Sequence, residues 1–179
     1  MIAVFATGPH FEFGNENRLP WVSCREDLQR FKELTSHKVI LMGAHTFRSL
    51  PSVLPNRIHV VLSNDSQVRC KDGGRPHYVY SGDFKRCIEE IKNTVGNDIA
   101  VIGGPSIITQ AIQYGEIDFM HITTIRGPFE KELEYDVEFD YRYLLRKFRL
   151  TDKIVTKNAK IHIQVTPVEI TERIYAPIS

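Results

Sequence analysis

The 179-residue sequence has few sulfur-bearing and indole side chains: three cysteines, three methionines and one tryptophan. Cys24, Cys70 and Cys87 are odd in number and widely spaced, so they offer neither a disulfide framework nor a CxxC metal pair. A reducing, cytoplasmic compartment is the expectation. No run reaches the ~20 apolar residues of a membrane span. The apolar start Met1–Ala6 soon meets Gly8, Pro9 and His10, unlike a secretory leader. Neither charge sign dominates: 23 basic and 22 acidic residues leave a net charge of +1 with histidine neutral. That gives no global field for nucleic acid and no acidic tail. With 42% hydrophobic and 25% charged residues, disordered, collagen-like and coiled-coil architectures are excluded. No repeat, low-complexity tract or linker divides the chain, so a single domain over 1–179 is expected.

What is present is an alternation of short apolar runs and amphipathic stretches. Met1–Thr7 reads as a buried strand, and Gly8 to Cys24 as a long polar loop. Arg25–Thr35 reads as a helix with Leu28, Phe31 and Leu34 on one side, Ser23 as cap and Glu26 as its capping-box partner. Lys38–Gly43 is a second strand leading into a short helix, Ala44–Leu50; Arg57–Ser63 and His77–Tyr80 are further strands. Asp83–Val95 is a helix with a stripe of Phe84, Cys87, Ile88, Ile91 and Val95. Asp98–Gly103 is a strand, Pro105 opens the next helix, and Ile117–Ile125 is a sixth strand. Phe148–Thr156 and Lys160–Pro167 alternate around Lys157-Asn158-Ala159, which predicts a hairpin. The tail Val168–Ser179 has no assigned role. The predicted class is α/β: a mostly parallel central sheet with helices on both faces and a C-terminal antiparallel hairpin.

Ligands of open α/β sheets bind at the carboxyl ends of strands. Three such ends carry glycine: Ala6-Thr7-Gly8, Met42-Gly43-Ala44 and Ile102-Gly103-Gly104. Two lead into helices, whose N-termini attract phosphate, so either a dinucleotide binds there or each glycine merely makes a tight turn. GxGxxG and GxxxxGK[ST] are both missing. Asp27 lies in the first helical turn, where the helix dipole alone accounts for a carboxylate. It also shares a face with Phe31 and follows the loop that holds the only tryptophan. A carboxylate in such an apolar cleft has a raised pKa or binds a donor edge, such as the ring nitrogen and amino group of a pterin. His45 stands at a helix start where it can touch a phosphate; His121 and His162 read as strand or surface residues. No HExxH or GxSxG occurs, so metal and acyl-transfer chemistry have no anchor.

Gly14-Asn15-Glu16-Asn17-Arg18-Leu19-Pro20-Trp21 resembles the G-x-x-N-x-LPW loop of dihydrofolate reductases. Asp27-Leu28-x-x-Phe31-Lys32 resembles their acidic helix, and Met42-Gly43-Ala44-His45-Thr46-Phe47-x-Ser49-Leu50 their MGR-x-T-[FW] turn. Leu54-Pro55-Asn56-Arg57, Val60-Val61-Leu62-Ser63, Val101-Ile102-Gly103-Gly104 and His121-Ile122-Thr123 follow in family order, so the resemblance covers most of the chain. Gly43-Ala44, Gly104-Pro105 and Ser49-Leu50-Pro51 look most like the reductases carried by large tailed bacteriophages.

The resemblance implies NADPH-dependent reduction of 7,8-dihydrofolate to tetrahydrofolate, with hydride to C6 and a proton to N5, supplying one-carbon carriers for thymidylate and purine synthesis. It also implies inhibition by antifolates such as methotrexate and trimethoprim. Asp27 would hold the pterin, with Thr123 hydrogen-bonded to it, and Leu19 and Trp21 would belong to the loop closing over the nicotinamide. Phe5, Ala6 and Ile102 would line the pterin floor; Leu28, Phe31, Leu50 and Leu54 would wall the pterin and benzoyl rings; Arg57 would pair with the glutamate carboxylate. The implied cofactor set is Thr7, Gly14 and Leu19; Gly43, Ala44, His45 and Thr46; Leu62, Ser63 and Asn64; and Gly103, Gly104, Pro105, Ser106 and Ile107, with a cis bond between the paired glycines.

Ala44 replaces an arginine that often grips the 2′-phosphate, and Ser106 replaces a basic or polar residue. A weaker preference for NADPH over NADH follows, with His45, Asn64, Arg69 or Lys71 as substitutes. Ile108 stands where a tyrosine is common, and Tyr135-Asp136-Val137 occupies a stretched version of the family's G-D-[TS] loop. A monomer is expected, with a homodimer as the alternative, and no nucleic-acid or membrane partner. The rival readings are a riboflavin-pathway reductase, which lacks the LPW–Asp–Phe pattern and Arg57, and a non-catalytic pterin- or nucleotide-binding or structural protein on the same fold.

Overall fold

The apolar runs form strands and the amphipathic stretches form helices. The computed structural model describes residues 1–14, 16, 18–21, 24–127, 134–161 and 164–178, with backbone alone at 158, 160, 161 and 164–167. The expected cap Ser23, loop residues Asn15 and Asn17, His162 and the terminal Ser179 lie outside the described residues.

In chain order the elements begin with β1 Ile2–Thr7, β2 Glu12–Gly14, α1 Arg25–Thr35, β3 Val39–Gly43 and α2 Ala44–Ser49. Next come β4 Ile58–Leu62, β5 Tyr78–Tyr80, α3 Phe84–Thr94, β6 Ile99–Gly103 and α4 Pro105–Gln113. The chain ends with β7 Phe119–Arg126, β8 Val137–Glu138, a 3-10 helix Tyr141–Lys147, β9 Phe148–Ile161 and β10 Gln164–Pro177. The class is the expected one: a mostly parallel sheet with helices and a C-terminal antiparallel strand pair.

The chain divides into two compact units: Met1–Ala3 with Leu34–Ile117, and Val4–Glu33 with Asp118–Ser179. In the first, strands run in the order β5-β4-β3-β6-β1, all parallel. Val39 pairs with Ile58 and Gly43 with Leu62, which brings two strand ends level. Ile40, Leu41, Met42, Val60, Val61 and Ile99–Val101 are wholly buried, as continuous apolar strands of a parallel sheet should be. Asp83 caps α3 by accepting from the Arg86 amide, and Pro105 opens α4 where its missing N–H costs nothing.

In the second unit the order is β1-β7-β10-β9, and β10 is antiparallel to both neighbours. Its core gathers Trp21, Cys24, Ile125, Ala159, Val168 and Ile170, with Ala6 packed against them. Two expectations are corrected here. Lys157-Asn158-Ala159 is not the hairpin turn but part of β9, because Ala159 pairs with Val168 and both are buried; the connecting residues 162 and 163 lie outside the described residues. Burial sets the register more strongly than local turn preference. The tail is not without a role either: Val168 to Pro177 continues β10, with its register irregular at Pro167, which lacks an N–H for the ladder. Within the expected long loop, β2 pairs with β8.

Candidate active site

In the second unit, α1 presents Asp27 in its first turn. The side chain is only 9% exposed, and its carboxyl is pushed up to about 6, first by burial and then by the negative charge of Glu172. Among the described residues no protein donor reaches this carboxylate. The expected hydrogen bond from Thr123 is not made, although Thr123 is itself buried. An acid so placed holds its proton near neutrality, or accepts hydrogen bonds from a ligand. Leu28, at 47% exposure, and Leu19 leave apolar surface on the same unit, and Phe31 is half-buried.

Strand alternation decides which β1 residues share this environment. Ala6 packs with Trp21 and Ile125, and Ile125 lies two residues beyond Thr123 on one face of β7. Phe5 points the other way, into rings of Phe13, Phe139 and Tyr141 at 6.2, 5.4 and 5.5 Å. Val4 shares Ala6's side of the strand, so Phe5 could border a ligand there only through its backbone. Thr7 Oγ1 and Trp21 Nε1 are buried polar atoms with no hydrogen-bond partner among the described residues. The stretched loop has a visible job. Asp136 donates its backbone N–H to Gly14 O at 2.9 Å, and its Oδ2 accepts from the Glu16 amide at 3.0 Å.

In the first unit, the ends of β3 and β6 lie side by side. A Cβ built on Gly43 would meet Ile107 of α4 at 3.4 Å, and one on Gly104 would meet Thr46 Oγ1 of α2 at 3.6 Å. Neither helix start has a side-chain cap, so amides are left to bind an anion. The Gly103–Gly104 peptide is cis, and Gly103 has φ 143°, a conformation that favours glycine. Ala44, Leu62, Ser63, Pro105 and Ile107 are half-buried, Ile102 is buried, and His45, Asn64 and Ser106 are exposed. These residues suit the pyrophosphate and ribose of a dinucleotide. Ser63 Oγ accepts from the Asp65 amide at 2.9 Å, and Asp65 pairs with Arg48 at 2.8 Å. Of the substitute cations, Arg69 is exposed and donates from Nη1 to Gly73 O at 3.2 Å. Arg48, paired with Asp65, is a further cation near the end of β4.

Arg57 is 9% exposed and makes no ion pair among the described residues. Its Nε donates to Pro55 O and its Nη1 to Thr35 Oγ1, each at 3.0 Å, and burial pulls its pKa below the usual value. A guanidinium desolvated without a counter-ion is built to receive an anion. Asn56 holds the preceding turn with φ 57°, a left-handed conformation that asparagine tolerates better than most residues. His59, wholly buried, accepts the Leu54 amide on Nε2 at 3.0 Å, and burial first, then neighbouring His77, lowers its pKa to about 4. Leu50 and Leu54 are half-buried on this unit.

Sequence reasoning missed Glu172. It lies in the tail, 5% exposed, bonded to Arg30 and His121. Its distance in sequence from Asp27 hid it; the spacing Val168, Ile170, Glu172 along a strand-like run was the available signal.

A family model described as dihydrofolate reductase matches residues 1–171. Dihydrofolate reductase type 9 of Escherichia coli is 30% identical over 167 residues, covering 87% of this chain and 82% of that protein. Dihydrofolate reductase of Mycoplasma genitalium is 31% identical over 130 residues, covering 73% and 79%. Among solved structures, Enterococcus faecalis dihydrofolate reductase complexed with NADP(H) and RAB-propyl shares the fold. Its TM-score is 0.71 at 23% identity, with 99% of this chain and 96% of that one covered.

Proposed function

The chain belongs to the dihydrofolate reductase family, and from that premise we propose that it reduces 7,8-dihydrofolate to 5,6,7,8-tetrahydrofolate with NADPH. The observation that carries the reading is Asp27: a buried carboxyl with no protein donor among the described residues and an affinity for protons near neutrality. The pterin's N3–H and 2-amino group offer two parallel donors that such a carboxylate accepts. Asp27 then favours the proton at N5 while the hydride goes to C6. Thr123 and Trp21 would flank it, and Phe5, through its backbone, Ala6 and Ile102 would lie along the ring. Phe31, Leu28, Leu50 and Leu54 would cover apolar surface, and Arg57 would pair with the glutamate carboxylate as a fork.

NADPH, when bound, supplies the hydride. The uncapped helix starts at Gly43–Thr46 and Gly104–Ile107, with Ser63 and the orphaned Thr7 hydroxyl, would hold it. The segment from Gly14 to Trp21 would exclude water, anchored at one end by buried Trp21 and at the other by Asp136. The family model covers residues of both units, which supports one functional domain over 1–179. Three free, buried thiols support action in a reducing cytoplasm, and we read the enzyme as a monomer.

The test is loss of NADPH absorbance on adding dihydrofolate, repeated with methotrexate and with Asp27→Asn. Methotrexate-sensitive oxidation is expected. The variant should lose about 10²–10⁴-fold in kcat at neutral pH and less in acid, where substrate protonates unaided. No methotrexate-sensitive turnover, or a variant with undiminished turnover, overturns the reading.

A further inference from the structure

Asp27 does not stand alone. Arg30 follows it by three residues on α1, so the two share a helix face. Across the β7–β10 ladder Glu172 lies directly opposite Thr123, and His121 is two residues before Thr123 on the same face of β7. The Glu172 carboxylate is gripped from both elements. Arg30 donates from Nε to Oε2 at 2.9 Å and from Nη2 to Oε1 at 3.2 Å, and His121 Nδ1 lies 2.8 Å from Oε1. Burial alone would raise the Glu172 carboxyl, but the hydrogen bonds from His121 and Arg30 outweigh it and hold the group ionised, below the usual carboxylate range. On β9 the residue opposite is apolar Ile154, with exposed Asp152 diagonal to it; on α1, Glu33 also touches Arg30. Only the carboxylate of this cluster is buried, the Arg30 side chain being 36% exposed, and a buried charge held this way is poor evidence for stability, since an apolar residue of the same size serves as well.

We propose that Glu172 is a positioning residue for the reduction, a fixed negative charge held by Arg30 and His121 that acts on Asp27. Two independent features meet in it. The ladder register and the helix spacing bring the cluster to the face that carries Asp27 and Thr123. The charge of Glu172 is also the second cause, after burial, of Asp27's raised proton affinity. Arg30 works against that effect: its positive charge neutralises part of the Glu172 field. The two residues therefore make opposite predictions. The proposal rests on the reading of Asp27 as the proton-holding group, and the test separates the two.

The experiment is a carbon-detected NMR titration of the Asp27 side-chain carboxyl in ligand-free full-length protein, for the parent, Glu172→Gln and Arg30→Gln. Glu172→Gln removes a negative charge and leaves Arg30 uncompensated, so the Asp27 midpoint should fall by roughly half to one pH unit. Arg30→Gln should raise it by a similar amount. Glu172→Asp, which retains the charge, should largely restore the parent midpoint. Stopped-flow hydride-transfer rates with NADPH and dihydrofolate across pH should shift in the same two directions. Midpoints that stay put, or that move the same way in both variants, overturn the proposal whatever the enzyme does. If Glu172→Gln is too unstable to titrate, Glu172→Met, which fills the buried position without a charge, takes its place with the same expected fall, and an unmoved midpoint overturns the proposal. Midpoints that shift while the rate profile does not follow them also overturn it, since Glu172 then has no bearing on the reaction. A parent-like rate profile in Asp27→Asn instead sinks the reading of Asp27 and leaves the titration result standing.

Discussion

Replacing Asp27 by asparagine should change stability in a pH-dependent way that can be worked out in advance. The Asp27 carboxyl sits at about 6 in the folded protein against 3.8 for the unperturbed group. That difference of roughly 2 units corresponds to about 3 kcal/mol. The sign follows from proton counting. Between about pH 4 and about pH 6 the folded protein binds the proton and the unfolded chain has released it, so stability falls as pH rises through this window. Above it the whole cost of the buried charge is present. Because the side chain is only 9% exposed, solvent screening removes little of it. Asparagine has the same shape and does not titrate. Its buried amide adds a cost of its own, but a constant one. The quantity to measure is therefore the stability difference between variant and parent, from urea unfolding at several values from about pH 4 to about pH 7. It should swing by about 3 kcal/mol in favour of the variant across that range. A difference that is flat with pH would falsify the claim that Asp27 is desolvated and charged at a cost.

Three further outcomes follow from the sites. Arg57→Ala should weaken dihydrofolate binding by about 2–5 kcal/mol while barely touching a dihydropterin that lacks the glutamate; equal losses in the two titrations remove Arg57 from carboxylate binding. Ala44→Arg should raise the ratio of kcat/KM for NADPH over NADH, because a guanidinium there can pair with a 2′-phosphate, and an unchanged ratio means that Arg48 or another cation already holds that position. Asn56→Val should cost about 1–2 kcal/mol in thermal or urea unfolding, since a β-branched residue resists φ 57°, whereas Asn56→Gly should be near neutral; equal effects would show that the turn relaxes.

Much of the fold was legible because its signals are local. Runs such as Lys38–Gly43 and Asp98–Gly103 are apolar throughout, and each ends in a glycine before a helix. What could not be read depends on pairing at a distance. The strand Glu12–Gly14 is three residues long and exists only because Val137–Glu138 lies against it. The turn placed at Lys157-Asn158-Ala159 follows local preference, and burial of Ala159 against Val168 overrides it. The 3-10 helix from Tyr141 begins with an Asp140 cap, a signal present in the sequence but too short to stand out.

The candidate site divides the same way. Asp27, Arg57 and the glycine-bearing strand ends were named from residues adjacent in sequence; the structure shows Asp27 and Arg57 buried and the helix starts after Gly43 and Gly104 without side-chain caps. An apolar run such as β1, buried on both faces, does not say which residues point where; the partners Trp21 and Phe139 show that Ala6 and Phe5 face opposite sides. Glu172 was invisible for a stronger reason. A carboxylate in a helix first turn shows its helix dipole in the sequence, but its proton affinity depends first on burial and then on charges brought in by other elements. Here that charge comes from β10, through a strand the sequence left without a role, and it is oriented by Arg30, a residue that otherwise reads as ordinary helix surface. The identity of the acid is thus a local property of this chain, while the pH at which it holds its proton is a property of the tertiary fold.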